Sequence, residues 1–233
     1  KYWGRDRTDL KRAAVLAQVG RYDFDPRAFE VIDGEPLVYW WSEADIAEYV
    51  EFPLLGKSLT VAAGVKTGDD VRFVRVWSEV DPRRAPNARS WMDRLAPWHF
   101  YIKGAAGAEW IEPAQLILKW AAGGLELRTF GTYVAPGTVR LRDPSLYFRS
   151  AVAFSPIGAA FSARAHREPS IFGNMGSSVF TADVAGVLCV LNSTRARTIA
   201  QSLNPGIHFE IEDVERLPLF PIRDAAAIFQ ELE

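Results

Sequence analysis

The sequence predicts an α+β fold with a mixed, mostly antiparallel sheet at its centre and helices at both ends. Short apolar segments typical of strands dominate the middle of the chain, and patterns at helical spacing lie near the two termini. With 233 residues, 48% of them hydrophobic and 24% charged, the chain is long enough to bury a core without disulfides or metals. No stretch approaches the roughly 18 consecutive apolar residues that indicate a membrane-spanning helix.

The individual elements follow from caps, turn residues and periodicity. Near the N-terminus the pattern predicts a helix capped by Thr8, a strand at 37–41 and a second helix that begins at Ser42 and Asp45 and ends at about Val50. In the middle of the chain it predicts strands at 59–65 and 71–77, separated by a tight turn, and further strands at 98–102 and 146–154. Asp183 is predicted to cap one long helix over 184–202, which Asn204-Pro205-Gly206 ends. Trp40, Trp41, Phe148, Phe154 and Phe209 are expected in the core.

Cysteine content and charge restrict the classes of function. Cys189 is the single cysteine, which excludes an internal disulfide framework and a cysteine-based zinc cluster and fits a reducing compartment such as the cytoplasm. The net charge of −2 alone does not support nucleic-acid binding, but the segment 64–167 holds 15 Lys and Arg against 9 Asp and Glu. The chain starts at Lys1 without an initiator methionine, so we expect it to be part of a longer protein.

Catalytic motifs are absent from the sequence. It has neither the phosphate-binding GxxxxGK[ST] loop nor the dinucleotide-binding GxGxxG pattern, and no GxSxG nucleophile elbow. His99, His166 and His208 lie far apart, without second ligands at metal-binding spacing. The 29 Asp and Glu residues include many conceivable carboxylate pairs of the glycosidase type, and the sequence singles out none of them. The chain itself is predicted to carry no catalytic residue and no metal site.

One stretch has a more specific pattern. Residues 64–73, G-V-K-T-G-D-D-V-R-F, resemble the G-x-x-T-G-x-N-x-x-F signature of the target-recognition region of N6-adenine-specific DNA methyltransferases. Further elements of that family match in order from about residue 36 to 222: P-L-V-Y-W-W-S at 36–42, Pro53 to Gly56, Tyr147-Phe148, Ser162 to Arg164, residues 171–180, Leu191 to Ser193, Leu203 to Pro205, Phe209 and Leu217-Pro218. The resemblance is greatest to the PglX type of phage-exclusion (BREX) systems. The chain departs from the family in two ways. It has Asp70 where the signature has asparagine, and it lacks the catalytic half of the family's proteins.

The resemblance implies a domain organisation and partners. Residues 1–55 would be a helical and extended connector toward an N-terminal methyltransferase domain outside this chain, and 56–233 the target-recognition domain. The implied partners are double-stranded DNA, the methyltransferase domain of the same parent protein and other subunits of the defence system, and no membrane. S-adenosylmethionine is expected in the catalytic domain, so no cofactor is expected here.

A recognition domain needs basic side chains for phosphates and polar groups for base edges. The candidate DNA-binding residues are Lys66, Thr67, Gly68, Arg72, Arg75, Arg83, Arg84, Lys103, Arg149 and Arg164. Each also has a plainer interpretation as a solvated charge, a turn residue or a surface salt bridge. The alternative function is a non-catalytic specificity or protein-interaction module that no longer contacts DNA, which the net charge and Asp70 favour. A stand-alone hydrolase is a third possibility, for which the sequence nominates no residues.

Overall fold

A computed structural model describes residues 7–21, 23–80, 97–104, 108–158, 161–206 and 208–232. They form two compact units, one ending at Val50 and the other beginning at Glu51. Helices and two mixed sheets make up the structure, which confirms the predicted α+β class. In the ranges that the structure describes, no helix has the length and apolar character needed to cross a bilayer.

The first unit contains helix α1 (Thr8–Leu16) and all but the last residue of helix α2 (Glu43–Glu51). The predicted capping box is confirmed, because the Asp45 carboxylate accepts hydrogen bonds of 2.7 Å from both the backbone N–H and the hydroxyl of Ser42. The predicted strand at 37–41 is wrong. Trp41 donates its N–H to the carbonyl of Val38 at 2.8 Å, which closes a turn, and Trp40 is 51% exposed rather than part of a core.

The second unit is built on two sheets. Its strands are β1 (Thr60–Ala62), β2 (Val74–Val76), β3 (Trp98–Ile102), β4 (Trp110–Ile111), β5 (Leu116–Lys119), β6 (Ala151–Phe154), β7 (Ala163–Ala165), β8 (Ile171–Phe172) and β9 (Ser178–Phe180). One sheet has the order β1-β9-β6-β7-β4 and the other β2-β5-β3-β8. In each sheet the last pair is parallel, β7 with β4 and β3 with β8, and the other pairs are antiparallel.

Strand β6 lies at the centre of the core, and all four of its residues are buried. Val152 and Phe154 pack in a cluster with the C-terminal helices, whereas Ala151 and Ala153 pack in a cluster with the second sheet. Since alternate side chains of a strand point to opposite faces, the five-stranded sheet is covered on both sides.

The remaining helices are α3 (Leu55–Ser58), α4 (Asp70–Phe73), α5 (Ala121–Thr129), α6 (Val184–Asn192), α7 (Thr194–Leu203), α8 (Ile211–Glu215) and α9 (Ala225–Gln230). Asp183 caps α6 as predicted, with its Oδ1 accepting from Gly186 N–H at 2.8 Å. The single helix predicted over 184–202 is wrong, because Ser193 adopts an extended conformation and its hydroxyl caps α7 by accepting from Ala196 N–H at 3.1 Å.

Two further predictions about strands are corrected. The strands predicted at 59–65 and 71–77 are shorter, because β1 ends at Ala62 and residues 70–73 form helix α4 before β2 begins. The two strands do not pair across the tight turn: β1 pairs with β9, and β2 pairs with β5 in the other sheet. The strand predicted at 146–154 begins only at Ala151, because Phe148 has a φ of 63° that no strand allows. The segment 64–73 therefore links the two sheets instead of closing a hairpin.

Candidate functional site

Residues 64–73, here named the signature turn, are held by close backbone packing at their start. Val65 donates its N–H to the carbonyl of Phe172 at 2.8 Å. A Cβ at Gly64 would overlap that same carbonyl, so only glycine permits the approach. At the far end of the turn Phe73 is fully buried, and its ring lies 5.3 Å from that of Phe130.

The middle of the signature turn is fixed by its own polar side chains. Buried Thr67 donates its hydroxyl to Oδ1 of Asp70 at 2.5 Å, and Asp69 caps α4 by accepting from Arg72 N–H at 3.0 Å. Gly68 has a φ of 73°, and a Cβ there would come within 2.5 Å of the Thr138 hydroxyl. The two glycines, the threonine and the phenylalanine of the signature pattern are therefore explained by the packing and hydrogen bonding of the turn itself.

A depression of about 330 Å³ opens beside the signature turn. Three segments meet there: the turn, the end of β3 and the short 3₁₀ turn Asn174–Gly176 that follows β8. Its lining residues, which define the signature depression, are Lys66, Thr67, Gly68, Asp70, Tyr101, Lys103, Asn174 and Met175. Four of the predicted DNA-binding residues, Lys66, Thr67, Gly68 and Lys103, are therefore brought together.

One ion pair sets the charge inside the signature depression. The ammonium group of Lys103 is bonded to Oδ2 of Asp70. Partial burial raises the pKa of Asp70, but the hydrogen bonds from Lys103 and Thr67 and the charge of Lys103 outweigh burial and hold this pKa below its usual range. Tyr101 donates its hydroxyl to the carbonyl of Val65 at 3.1 Å, and burial followed by the charge of Asp70 raises its pKa well above the usual range.

Lys66 and Arg140 form a second charged feature, here named the basic pair. They are antiparallel bridge partners, with N–H···O=C bonds of 2.8 and 2.9 Å in the two directions. Residues directly opposite each other in such a bridge project to the same face, where like charges repel. Both side chains are exposed, and within the described ranges neither has a carboxylate partner. The basic pair therefore concentrates uncompensated positive charge beside the signature depression.

Arg72 and Arg75 lie in the signature turn and the following strand, outside the lining of the depression. Arg72 forms a salt bridge of 3.2 Å with Glu126, and its guanidinium lies 5.1 Å from the ring centre of Phe130. Arg75 donates to the carbonyl of Val74 at 2.7 Å and to that of Val71. Both guanidinium groups therefore already have internal partners.

Arg164 is fully buried, which does not fit the predicted contact with DNA. Its Nε donates to Glu112 at 2.7 Å, its Nη1 to the Ser155 hydroxyl at 2.9 Å and its Nη2 to the carbonyl of Lys103 at 3.1 Å. Burial raises the pKa of Glu112, and the charge of Arg164 offsets part of that effect. Arg164 thus fixes the backbone of Lys103 from inside the core.

The other predicted residues lie elsewhere. Arg149 is exposed and lines a separate depression of about 100 Å³ with Arg167 and His166. Arg83 and Arg84 lie outside the described residues. Four lining residues were missing from the predicted set: Asp70, Tyr101, Asn174 and Met175. For Asn174 and Met175 the matching I-F-x-x-x-G element at 171–176 was the available signal.

The site belongs to a chain with recognisable relatives among adenine-specific methyltransferases, which confirms the resemblance seen in the sequence. The chain is 29% identical over 203 residues to the adenine-specific methyltransferase PglX of Lacticaseibacillus casei (strain Zhang), and 25% identical over 201 residues to the adenine-specific methyltransferase BrxX of Escherichia coli O9:H4 (strain HS). Each alignment covers 82% of this chain but only 17% and 15% of the respective relative, so the similarity concerns a partial region. No family model matches the chain.

Proposed function

We propose that this chain is the target-recognition region of an adenine-specific DNA methyltransferase and that it binds duplex DNA through the surface around the signature depression. The observation that carries the proposal is the basic pair, because Lys66 lies within the element that resembles the recognition signature and its exposed bridge partner Arg140 adds a second cation there. Phosphate groups would relieve the repulsion between Lys66 and Arg140 and would release condensed counterions. Similarity to two adenine-specific methyltransferases supports the class of the parent protein.

The chemistry of methyl transfer belongs, in this proposal, to another part of the parent protein. S-adenosylmethionine would bind in that catalytic domain, and this region would hold the duplex while the target adenine is flipped out of the stack. The parent would act in the cytoplasm as part of a phage-exclusion system, together with other defence subunits. The residues proposed to contact phosphates are Lys66 and Arg140, with Lys103 available once its pairing with Asp70 is exchanged.

The test is the salt dependence of DNA binding, measured by fluorescence anisotropy with a labelled duplex of mixed sequence. The slope of log K against log salt changes by about 0.9 for each phosphate contact, so the double variant Lys66→Ala/Arg140→Ala should reduce its magnitude by about 2. The matched control is Lys57→Ala/Arg223→Ala, which removes the same charge from two exposed residues of the second unit that do not line the depression. Equal slopes for the two double variants, or no binding by the unaltered chain at low salt, would overturn the proposal.

A second candidate function is a protein-interaction module. It is favoured by the exposed apolar side chains of α1, where Val15 and Leu16 are 76% and 75% exposed. Such residues often mark contact surfaces between proteins. If DNA does not bind, polar substitution of these two residues, followed by pull-down with the separately expressed remainder of the parent, would test this alternative.

A further inference from the structure

The turn Asn174–Gly176 presents one polar side chain on an anchored backbone. The N–H of Asn174 donates to the carbonyl of Val65 at 3.1 Å, and its carbonyl accepts from the Ser177 hydroxyl at 3.0 Å. The preceding N–H, of Gly173, donates to the carbonyl of Ile102 at 2.7 Å. The backbone of the turn is thus bonded to the signature turn on one side and to β3 on the other.

The glycines on either side of Asn174 allow this close packing. A Cβ at Gly176 would lie 2.7 Å from the carbonyl oxygen of Ile102, and one at Gly173 would overlap the Tyr101 hydroxyl. The turn therefore sits directly against β3, and the position of Asn174 is set before any ligand arrives. Such preorganisation reduces the ordering entropy that binding would otherwise require.

The side chain of Asn174 is exposed, and its amide makes no hydrogen bond to the part of the chain covered by the structure. It lies on a wall shared by two depressions: the signature depression, and a neighbouring one of about 400 Å³ that Arg142, Glu210 and Glu212 also line. Cations therefore flank Asn174 on both sides, with Lys66 and Lys103 in one depression and Arg142 in the other.

These surroundings suit a base edge better than a phosphate. An asparagine amide has a donor and an acceptor side by side, which match the N7 acceptor and the N6 amino donor of adenine in the major groove. The carboxylates of Glu210 and Glu212 repel phosphate from the far side but can accept hydrogen bonds from base amino groups. The flanking cations can meanwhile hold the backbones of the duplex.

We propose that Asn174 is a specificity-determining residue, whose free amide on the rigid turn between the two depressions reads the major-groove edge of an adenine in the target sequence. This inference rests on the proposed function, because it requires that the chain bind duplex DNA. It assigns base reading to Asn174 and leaves phosphate contact to the basic pair.

The experiment is selection of bound duplexes from a pool with a randomised central segment, followed by sequencing of the bound fraction. The unaltered chain should enrich a motif containing at least one strongly preferred adenine. Asn174→Ala should remove the preference at one position, a loss of roughly 5- to 150-fold in discrimination, while the salt slope stays unchanged. Asn174→Asp should shift that position toward cytosine, because a carboxylate only accepts.

Two controls separate this inference from the proposed function. Gln201→Ala removes an exposed amide from α7, away from both depressions, and should leave the motif intact. Lys66→Ala/Arg140→Ala should weaken binding to all sequences alike and keep the adenine preference. An unchanged motif in Asn174→Ala would overturn the role of Asn174 while the proposed function stands. Salt-dependent binding by the unaltered chain with no motif at all would overturn both the role of Asn174 and target recognition, and would leave only a DNA-binding surface. Absence of salt-dependent binding would overturn the proposed function itself.

Discussion

Replacement of Arg164 by methionine should destabilise the second unit strongly. The guanidinium is fully buried and is bonded to Glu112, to the Ser155 hydroxyl and to the carbonyl of Lys103. Methionine fills much of the same volume but offers none of these three donors. It would leave the Glu112 carboxylate, itself 6% exposed, without its partner in the core.

The magnitude follows from the loss of one partner in a buried ion pair, which is destabilising by about 3–5 kcal/mol. For a domain of this size that corresponds to a fall in Tm of roughly 10 °C. The double variant Arg164→Met/Glu112→Met removes both charges and should recover much of the loss, because no unpaired carboxylate remains. Recovery should be incomplete, since the Ser155 hydroxyl and the Lys103 carbonyl stay without their donor.

The assay is urea unfolding followed by tryptophan fluorescence for the unaltered chain, the two single variants and the double variant. In Arg164→Met the pKa of Glu112 should rise further than burial already raises it. A carboxyl whose pKa is higher in the folded than in the unfolded state stabilises the fold at low pH and loses that contribution as pH rises through the folded value. The deficit of Arg164→Met should therefore be smaller at pH 5 than at pH 8. A loss below about 1 kcal/mol, or strictly additive single effects, would refute this reasoning.

Three further predictions concern the signature turn and its surroundings. Gly64→Ala should destabilise the fold by about 1–3 kcal/mol in urea unfolding, because its Cβ overlaps the carbonyl of Phe172; an effect under about 0.5 kcal/mol would contradict that close approach. Asp70→Asn should free Lys103 and steepen the salt slope of DNA binding by about 1, and an unchanged slope would show that loss of the Asp70 pairing adds no phosphate contact at Lys103. Burial lowers the pKa of His166 to about 3. Because the unfolded chain binds the proton more readily, the neutral histidine contributes stability that is fully present above about pH 6.5 and is lost as pH falls toward 3. His166→Gln should flatten the pH dependence of Tm in this window, and an equally steep acid loss would rule His166 out as its source.

Much of the fold could be predicted from local sequence. The capping of α6 by Asp183 and the capping box at Ser42 depend on side chains that accept hydrogen bonds from the backbone three residues away. The fold class follows from the spacing of apolar residues within short segments. The burial of Cys189 likewise follows from its apolar neighbours. Such features can be predicted from a few neighbouring residues, because no distant segment of the chain takes part in them.

Strand pairing could not be predicted in the same way. A glycine-containing turn between two predicted strands, as at 59–65 and 71–77, is typical of a hairpin. However, β1 and β2 pair with strands about 120 and 40 residues further along the chain. Which strands pair with each other depends on how the whole sheets pack. A short segment of sequence therefore does not contain the information needed to predict the partner strand. The break between α6 and α7 at Ser193 could not be predicted either, because apolar residues continue at helical spacing on both sides of it.

For the candidate site, the sequence by itself identified the signature turn and the basic residues in it. Only the tertiary structure decided which of those residues act together: Lys66 and Lys103 line one depression, Arg164 lies in the core behind them, and Arg72 is paired with Glu126. An arginine in the sequence carries the same charge whether it meets solvent or a buried carboxylate. Its partner comes from a strand or loop distant in sequence, and folding alone determines whether that charge remains available to bind another molecule.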